Sequence, residues 1–338
     1  MKAVFFAKVA DQDVLTRNEF YAVDLKILRE LGLEVTICVN PFRIPLADIY
    51  VIWWWTWAFF PVLRAKLVGK PAIILGTFDH VLEDGKLERF YRRPYLQRFM
   101  IKYALRNASS NVVVSRDQFK VMERDFSVCG LEYSPHVIDT DEYAPKSVER
   151  GNFLLSFCWM NTRNAIRKCI PELILAMAKI HDEKPSLKLL ICGEKGSDYP
   201  ELQSLVDSLG AQEYIEFPGV VTKEKKIELM QTCAVYMQPS RVEGFGVAIL
   251  EAMSCAAPVV SSPVGAVPEV AGDTAILVDG TNPDEIAAAT IALLDDPAYS
   301  RSLGIQARSR AVRLFSYQRR KNDLDRIINQ VTGKLIEG

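Results

Sequence analysis

The chain has 338 residues, more than a single hydrophobic core comfortably organises, so two domains of about 150 residues each are expected. Hydrophobic residues make up 49%, charged residues 25%, and the formal net charge is -1; this is the balance of an ordinary globular protein, and it excludes an overall bias toward nucleic acid or an acidic substrate. No window approaches ~18 consecutive apolar residues, the length at which a bilayer span is read.

In chain order, short apolar runs alternate with longer helical patterns. Residues 2–7 read as a strand, 18–32 as a helix, 34–39 and 49–53 as strands, 61–68 as a helix and 72–75 as a strand. The first run carries one lysine and then meets Asp11 and Asp13, where a signal peptide needs a longer apolar core, so it is read as the first strand of a cytoplasmic protein. A basic helical stretch at 93–107 precedes a strand at 111–114, and the polar segment 133–146, with Pro135 and Pro145, is the candidate linker. A second series follows: strand 153–157, helix 170–181, strand 187–192, helix 200–209, strand 214–217, helix 223–233 and strand 235–238. After strands at 258–261 and 275–278, Asn282-Pro283-Asp284-Glu285 opens a helix with Asn as N-cap, Pro in the first turn and Glu at the third helical position.

Repeated strand–helix–strand alternation is the signature of parallel sheets. The expected fold class is therefore α/β, with two Rossmann-like doubly wound domains and ligand sites at the carboxyl ends of the strands. The seven cysteines are scattered singly and form no CxxC or Cys/His pattern, so no metal site is expected from them.

The segment richest in chemistry is 239–253, which follows a strand and leads into a helix. Gly244 and Gly246 remove side chains where the backbone turns, so N–H groups and the helix dipole can point at a phosphate. Glu243 precedes the turn and Glu251 lies about one turn or slightly more into the helix, so the two can bracket one polar ligand; carboxylates accept well from sugar or ribose hydroxyls. The same spacing also suits a plain strand-to-helix turn with solvated glutamates.

Glu243 to Glu251, with Pro239-Ser240, Glu243-Gly244-Phe245-Gly246 and Leu250-Glu251-Ala252-Met253, resembles the E-x7-E signature of the retaining family 4 glycosyltransferases. Residues 258–265, Pro268-Glu269-Val270 and Phe315-Ser316-Tyr317 extend the likeness over most of 150–330. The resemblance implies a GT-B fold, with domains at 1–146 on the acceptor side and 147–315 on the donor side, and a C-terminal helix, 316–338, returning to the first. It implies that Glu243 faces the donor sugar, that Glu251 binds ribose hydroxyls, and that Gly244, Phe245 and Gly246 approach sugar and phosphate through their backbone. Arg163 and Lys168, five positions apart, match the pair that grips the diphosphate in this family, with Arg167 a competitor for the role. Gly193 and Val221 fall where the family lines the nucleotide pocket, and His80 loosely matches its cleft histidine. Cys255-Ala256-Ala257-Pro258 stands where a glycine is usual, which is tolerable if that turn avoids positive φ. The family's glycine-rich loop after its first strand is replaced by residues 8–13.

The activity implied is transfer of a sugar, with retention, from a nucleotide diphosphate sugar of UDP-sugar or GDP-mannose type to a glycan or lipid-linked acceptor. No cofactor and no essential metal are implied. A sugar nucleotide epimerase and a catalytically silent binding protein are the alternatives; a nicotinamide dehydrogenase is disfavoured because no GxGxxG follows the first strand. In the N-terminal half, the aromatic run 53–60 suits sugar stacking, a membrane interface or core packing. Between Lys86 and Arg106, basic residues dominate; Leu96, Phe99, Met100 and Tyr103 form one stripe and Arg98, Lys102 and Arg106 another. That pattern reads either as peripheral contact with an anionic membrane face or as the solvated side of a core-packed helix.

Overall fold

The protein is described by a computed structural model covering residues 1–78, 88–147 and 149–333. It comprises two compact units, one formed by 1–138 with the chain from Phe315 onward, the other by 139–314.

In the first unit, β1 (Lys2–Ala7), α1 (Val14–Arg17), α2 (Glu19–Glu30), β2 (Glu34–Cys38), β3 (Ile49–Trp53), α3 (Phe59–Leu67), β4 (Ala72–Gly76), α4 (Glu88–Tyr91), α5 (Tyr95–Asn107), β5 (Ser110–Val113), α6 (Arg116–Asp125) and β6 (Leu131–Tyr133) build a parallel sheet of order β2-β1-β3-β4-β5-β6. Its central strands are buried at every position of β3 and β4, as a parallel sheet covered on both faces requires. Alternate residues feed opposite layers: Phe5, Val51 and Ile73 pack with residues of α2, while Phe6, Ile52 and Ile74 pack with those of α3 and α5.

The second unit contains β7 (Phe153–Phe157), α7 (Asn164–Arg167), α8 (Ile170–Glu183), β8 (Lys188–Cys192), α9 (Tyr199–Ser208), β9 (Ile215–Gly219), α10 (Lys223–Thr232), β10 (Val235–Gln238), α11 (Val247–Ser254), β11 (Val259–Ser261), α12 (Val267–Ala271), β12 (Ile276–Leu277), α13 (Pro283–Asp295) and α14 (Pro297–Leu314). Its parallel sheet runs β12-β11-β10-β7-β8-β9, so strand order reverses between β7 and β10. The expected cap is present: Asn282 accepts from the Asp284 amide at 3.0 Å and donates to Glu285 at 3.1 Å.

The last helix, α15 (Tyr317–Thr332), belongs to the first unit. Leu324, Ile327 and Ile328 join the core layer of α2. Beneath them, Arg320, only 1% exposed, meets Asp24 through two hydrogen bonds of 3.0 and 2.9 Å and donates to the Ser134 carbonyl at 2.7 Å. His136 stacks on Trp53; burial, aided by the charge of Arg320, pushes its imidazole down to about 3, so it stays neutral at physiological pH.

On α5 the buried side is Ile101, Ala104 and Leu105, while Leu96 and Phe99 of the apolar stripe are 66% and 51% exposed. One sequence expectation needs correcting. The turn at Cys255–Pro258 does use left-handed backbone, with φ +55 at Ala256. The Ala256 amide donates to Met253 and the Ala257 amide to Ala252, a Schellman ending that demands this conformation and here takes it without glycine, at a cost of about 1 kcal/mol.

Candidate functional site

Open α/β sheets bind ligands beyond the carboxyl ends of the strands where their order reverses. In the second unit that point lies between β7 and β10, and a cavity of about 590 Å³ opens beside it, beyond the ends of β7, β8 and β9, within the range of small-molecule sites. Phe157, Cys158 and Trp159 line it from the end of β7, Cys192 and Gly193 from the end of β8, and Val220 and Val221 from the segment after β9. Its cations are Arg167, Lys168 and Lys226. The floor is laced by main-chain bonds, Cys158 to Cys192 at 2.9 Å and Gly193 to Gly219 at 2.8 Å. Gly193 has φ +144, and a Cβ there would lie 1.9 Å from the Cys158 carbonyl oxygen, so this position admits glycine alone.

Lys168 donates to the Phe157 carbonyl at 3.1 Å. Burial pulls its ammonium below the usual lysine range, and the nearby charge of Glu243 opposes that shift. Arg167 donates to Asn164 at 2.9 Å and to the Val242 carbonyl at 2.6 Å, and lies 3.7 Å from the Glu243 carboxylate. Arg163, by contrast, is exposed, caps α7 in left-handed backbone at φ +63, and lies outside the cavity lining. The Cys158 and Cys192 thiols are both pushed up to about 11 by burial, so each stays protonated and neither is an activated nucleophile.

Glu243 sits in the loop between β10 and α11. Gln238 donates to one carboxylate oxygen at 3.0 Å and the Gly244 amide to the other at 3.1 Å. A Cβ on Gly265 would lie 1.8 Å from the Glu243 carbonyl oxygen, so the loop is held against a glycine. Gly246, with φ +91, provides the left-handed step into α11, whereas the Phe245 ring is buried. Glu251 is 2% exposed. Tyr143 donates to its Oε1 at 3.0 Å, and the Lys226 Nζ lies 2.6 Å from Oε1 and 2.5 Å from Oε2.

The cavity thus gathers Lys168, Gly193 and Val221, and ion pairs from its Arg167 and Lys226 connect it to Glu243 and Glu251. Tyr143, Lys226 and Trp159 were not singled out from sequence: Tyr143 falls in the stretch read as linker, and Lys226 lies within a helix of ordinary polar composition. His80 lies outside the described residues. No helix among the described residues is long and apolar enough to cross a membrane.

Comparison with known proteins agrees with this geometry. Both units together have the GT-B fold: the chain superposes on sucrose-phosphate synthase from Thermosynechococcus elongatus with a TM-score of 0.81, covering 99% of this chain and 100% of that one at 18% identity. It superposes on Anabaena Alr3699/HepE in complex with UDP and glucose with a TM-score of 0.76, covering 98% and 100% at 16% identity. Residues 159–310 match the family of glycosyl transferases group 1. The MMP alpha-(1->4)-mannosyltransferase of Mycolicibacterium hassiacum is 28% identical over 272 residues, 76% of this chain and 64% of that protein. A GDP-mannose-dependent alpha-(1-6)-phosphatidylinositol monomannoside mannosyltransferase of Mycolicibacterium smegmatis is 31% identical over 209 residues, 56% of this chain and 54% of that protein. The matches therefore span less than two thirds of these relatives' own lengths.

Proposed function

We propose that the protein transfers a hexose, with retention of anomeric configuration, from a nucleoside diphosphate sugar to a hydroxyl of a glycan or lipid-linked acceptor. The observation that carries this reading is one cavity beside the strand-order reversal lined by Arg167, Lys168 and Lys226, of which Arg167 pairs with Glu243 and Lys226 with Glu251. Fixed cations neutralise the charge that grows on a departing diphosphate, the kind of electrostatic stabilisation that dominates many transfer reactions. Lys168, tethered to the end of β7, and Arg167, tethered to the loop of Glu243, are pre-positioned for that task without a metal ion. Glu243, held by Gln238 and the Gly244 amide, faces the donor sugar, and the departing phosphate takes the acceptor's proton. Arg163 remains a candidate for the diphosphate only if its exposed side chain swings inward; Arg167 already lines the site.

The donor is of the UDP-sugar or GDP-mannose type; the named relatives include a GDP-mannose-dependent mannosyltransferase, and HepE binds UDP and glucose. Incubation with UDP-glucose or GDP-mannose, with and without a glycan acceptor, should release nucleoside diphosphate much faster when acceptor is present, and nuclear magnetic resonance of the product should show the donor's own anomeric configuration. Inverted product contradicts retention. Epimerised donor without acceptor, or no turnover with bound nucleotide, replaces the reading by an epimerase or a silent binding protein.

Peripheral contact with an anionic membrane surface belongs to the same reading. Tyr91, Tyr95, Leu96 and Phe99 are all exposed within nine positions of chain, alongside exposed Arg92, Lys102 and Arg106, the mixture of interfacial aromatics and cations that favours anionic headgroups. Co-sedimentation with vesicles containing phosphatidylglycerol should exceed that with phosphatidylcholine alone and fall several-fold in Leu96→Asp/Phe99→Asp. Equal partitioning of variant and wild type would remove this surface from the account.

A further inference from the structure

The Lys226 ammonium lies within 2.6 Å of both oxygens of Glu251, so it occupies the fork in which a carboxylate receives the two hydroxyls of a vicinal diol. Among the described residues, the other side-chain partner of Glu251 is Tyr143, which is 1% exposed. The Lys226 side chain is 27% exposed and faces the cavity, so of the two partners it is the one free to move.

We propose that Lys226 is a latch: the ribose of the donor displaces its ammonium from Glu251, and the ammonium passes to the donor's diphosphate. The idea rests on the nucleotide-site reading above. The path is short. Lys226 Nζ already lies 6.0 Å from the Tyr143 ring and 5.8 Å from the Phe157 ring, two π-faces that can carry a cation between anions, and the Phe157 carbonyl is the acceptor for Lys168. The charge of Lys226 is felt at Lys168, so without an anion the ammonium gains nothing by leaving Glu251 for a place beside two other cations. With a diphosphate in the cavity it does gain. The exchange therefore discriminates against nucleosides that carry no phosphate, which must break the ion pair and leave the ammonium with no new partner.

Calorimetric titration of wild type and Lys226→Met with uridine and UDP, guanosine and GDP, and adenosine and ADP tests this directly. For the pair that binds, the variant should hold the nucleoside tighter and the diphosphate weaker, each on the order of tenfold, because a competitor for Glu251 and a charged phosphate contact are lost together. Lys226→Gln, which keeps a hydrogen-bond donor beside Glu251 but no charge, should shift both affinities in the same directions and guards against a folding defect, which thermal unfolding reports. Affinities that move together, or do not move, overturn the latch. Wild type that binds no diphosphate, or binds it equally well as Glu251→Gln, overturns the nucleotide-site reading and the latch with it. Weakening by Glu251→Gln without opposed shifts at Lys226 overturns the latch alone.

Discussion

Arg320→Ala should destabilise the first unit by about 3–5 kcal/mol, the cost of leaving a buried carboxylate without its cation. Arg320 and Asp24 are 1% and 2% exposed, joined by two hydrogen bonds, with a third from Arg320 to Ser134. Truncating the arginine strands Asp24 in the core layer between α2 and α15 and orphans the Ser134 carbonyl, and it frees α15 to detach. In thermal denaturation the transition of this unit should fall by roughly 10 °C. Asp24→Leu/Arg320→Leu removes both charges and should cost less than Arg320→Leu alone, since an apolar pair of similar volume is often neutral in place of an ion pair. A single variant as stable as wild type would mean that water reaches Asp24 and that α15 is held by its apolar contacts alone.

Glu251→Gln should weaken binding of the cognate nucleoside diphosphate about a hundredfold, or ~2.7 kcal/mol, the scale of two hydrogen bonds that lose the charge of their acceptor. The amide keeps the size of the carboxylate and one acceptor oxygen but loses the charge and presents its NH2 to the second hydroxyl, which must turn from donor to acceptor, so both ribose contacts weaken. The same variant should lose most of the preference for a ribonucleotide over its 2′-deoxy form. Unchanged affinity and unchanged ribose preference would take Glu251 out of the nucleotide site and leave it as the structural partner of Lys226 and Tyr143.

Much of the architecture was legible because parallel sheets covered on both faces print their strands as continuous apolar runs, as in Ile49–Trp53 and Ala72–Gly76, and because Asn282 and Glu285 carry their cap in the local sequence. Periodicity could not orient α5: Leu96 and Phe99 share a helical face with Tyr103, but which face meets the sheet was decided by Ala104 and its neighbours in the tertiary packing. The Ala256 turn was misjudged because a Schellman ending is set by where the helix must stop, and alanine tolerates the left-handed step at modest cost. In the candidate site, the glycine-rich turn and its two glutamates stood out locally. The contacts around them did not. Lys226 reaches Glu251 across two helices 25 positions apart, Tyr143 reaches it from 108 positions away, and the choice between Arg163 and Arg167 turns on the left-handed backbone at Thr162 and Arg163, none of which a spacing rule encodes.

The central claim is that the cavity beyond the ends of β7, β8 and β9 holds a nucleoside diphosphate on Lys168, Arg167 and Glu251. Calorimetric titration of UDP, GDP and ADP into wild type, Lys168→Ala, Arg167→Ala and Arg163→Ala tests it most directly. One nucleotide should bind wild type at micromolar affinity, with Lys168→Ala and Arg167→Ala each weakening it on the order of tenfold or more and Arg163→Ala weakening it less. Binding that survives both cavity variants unchanged, or no binding of any of the three, would contradict the account.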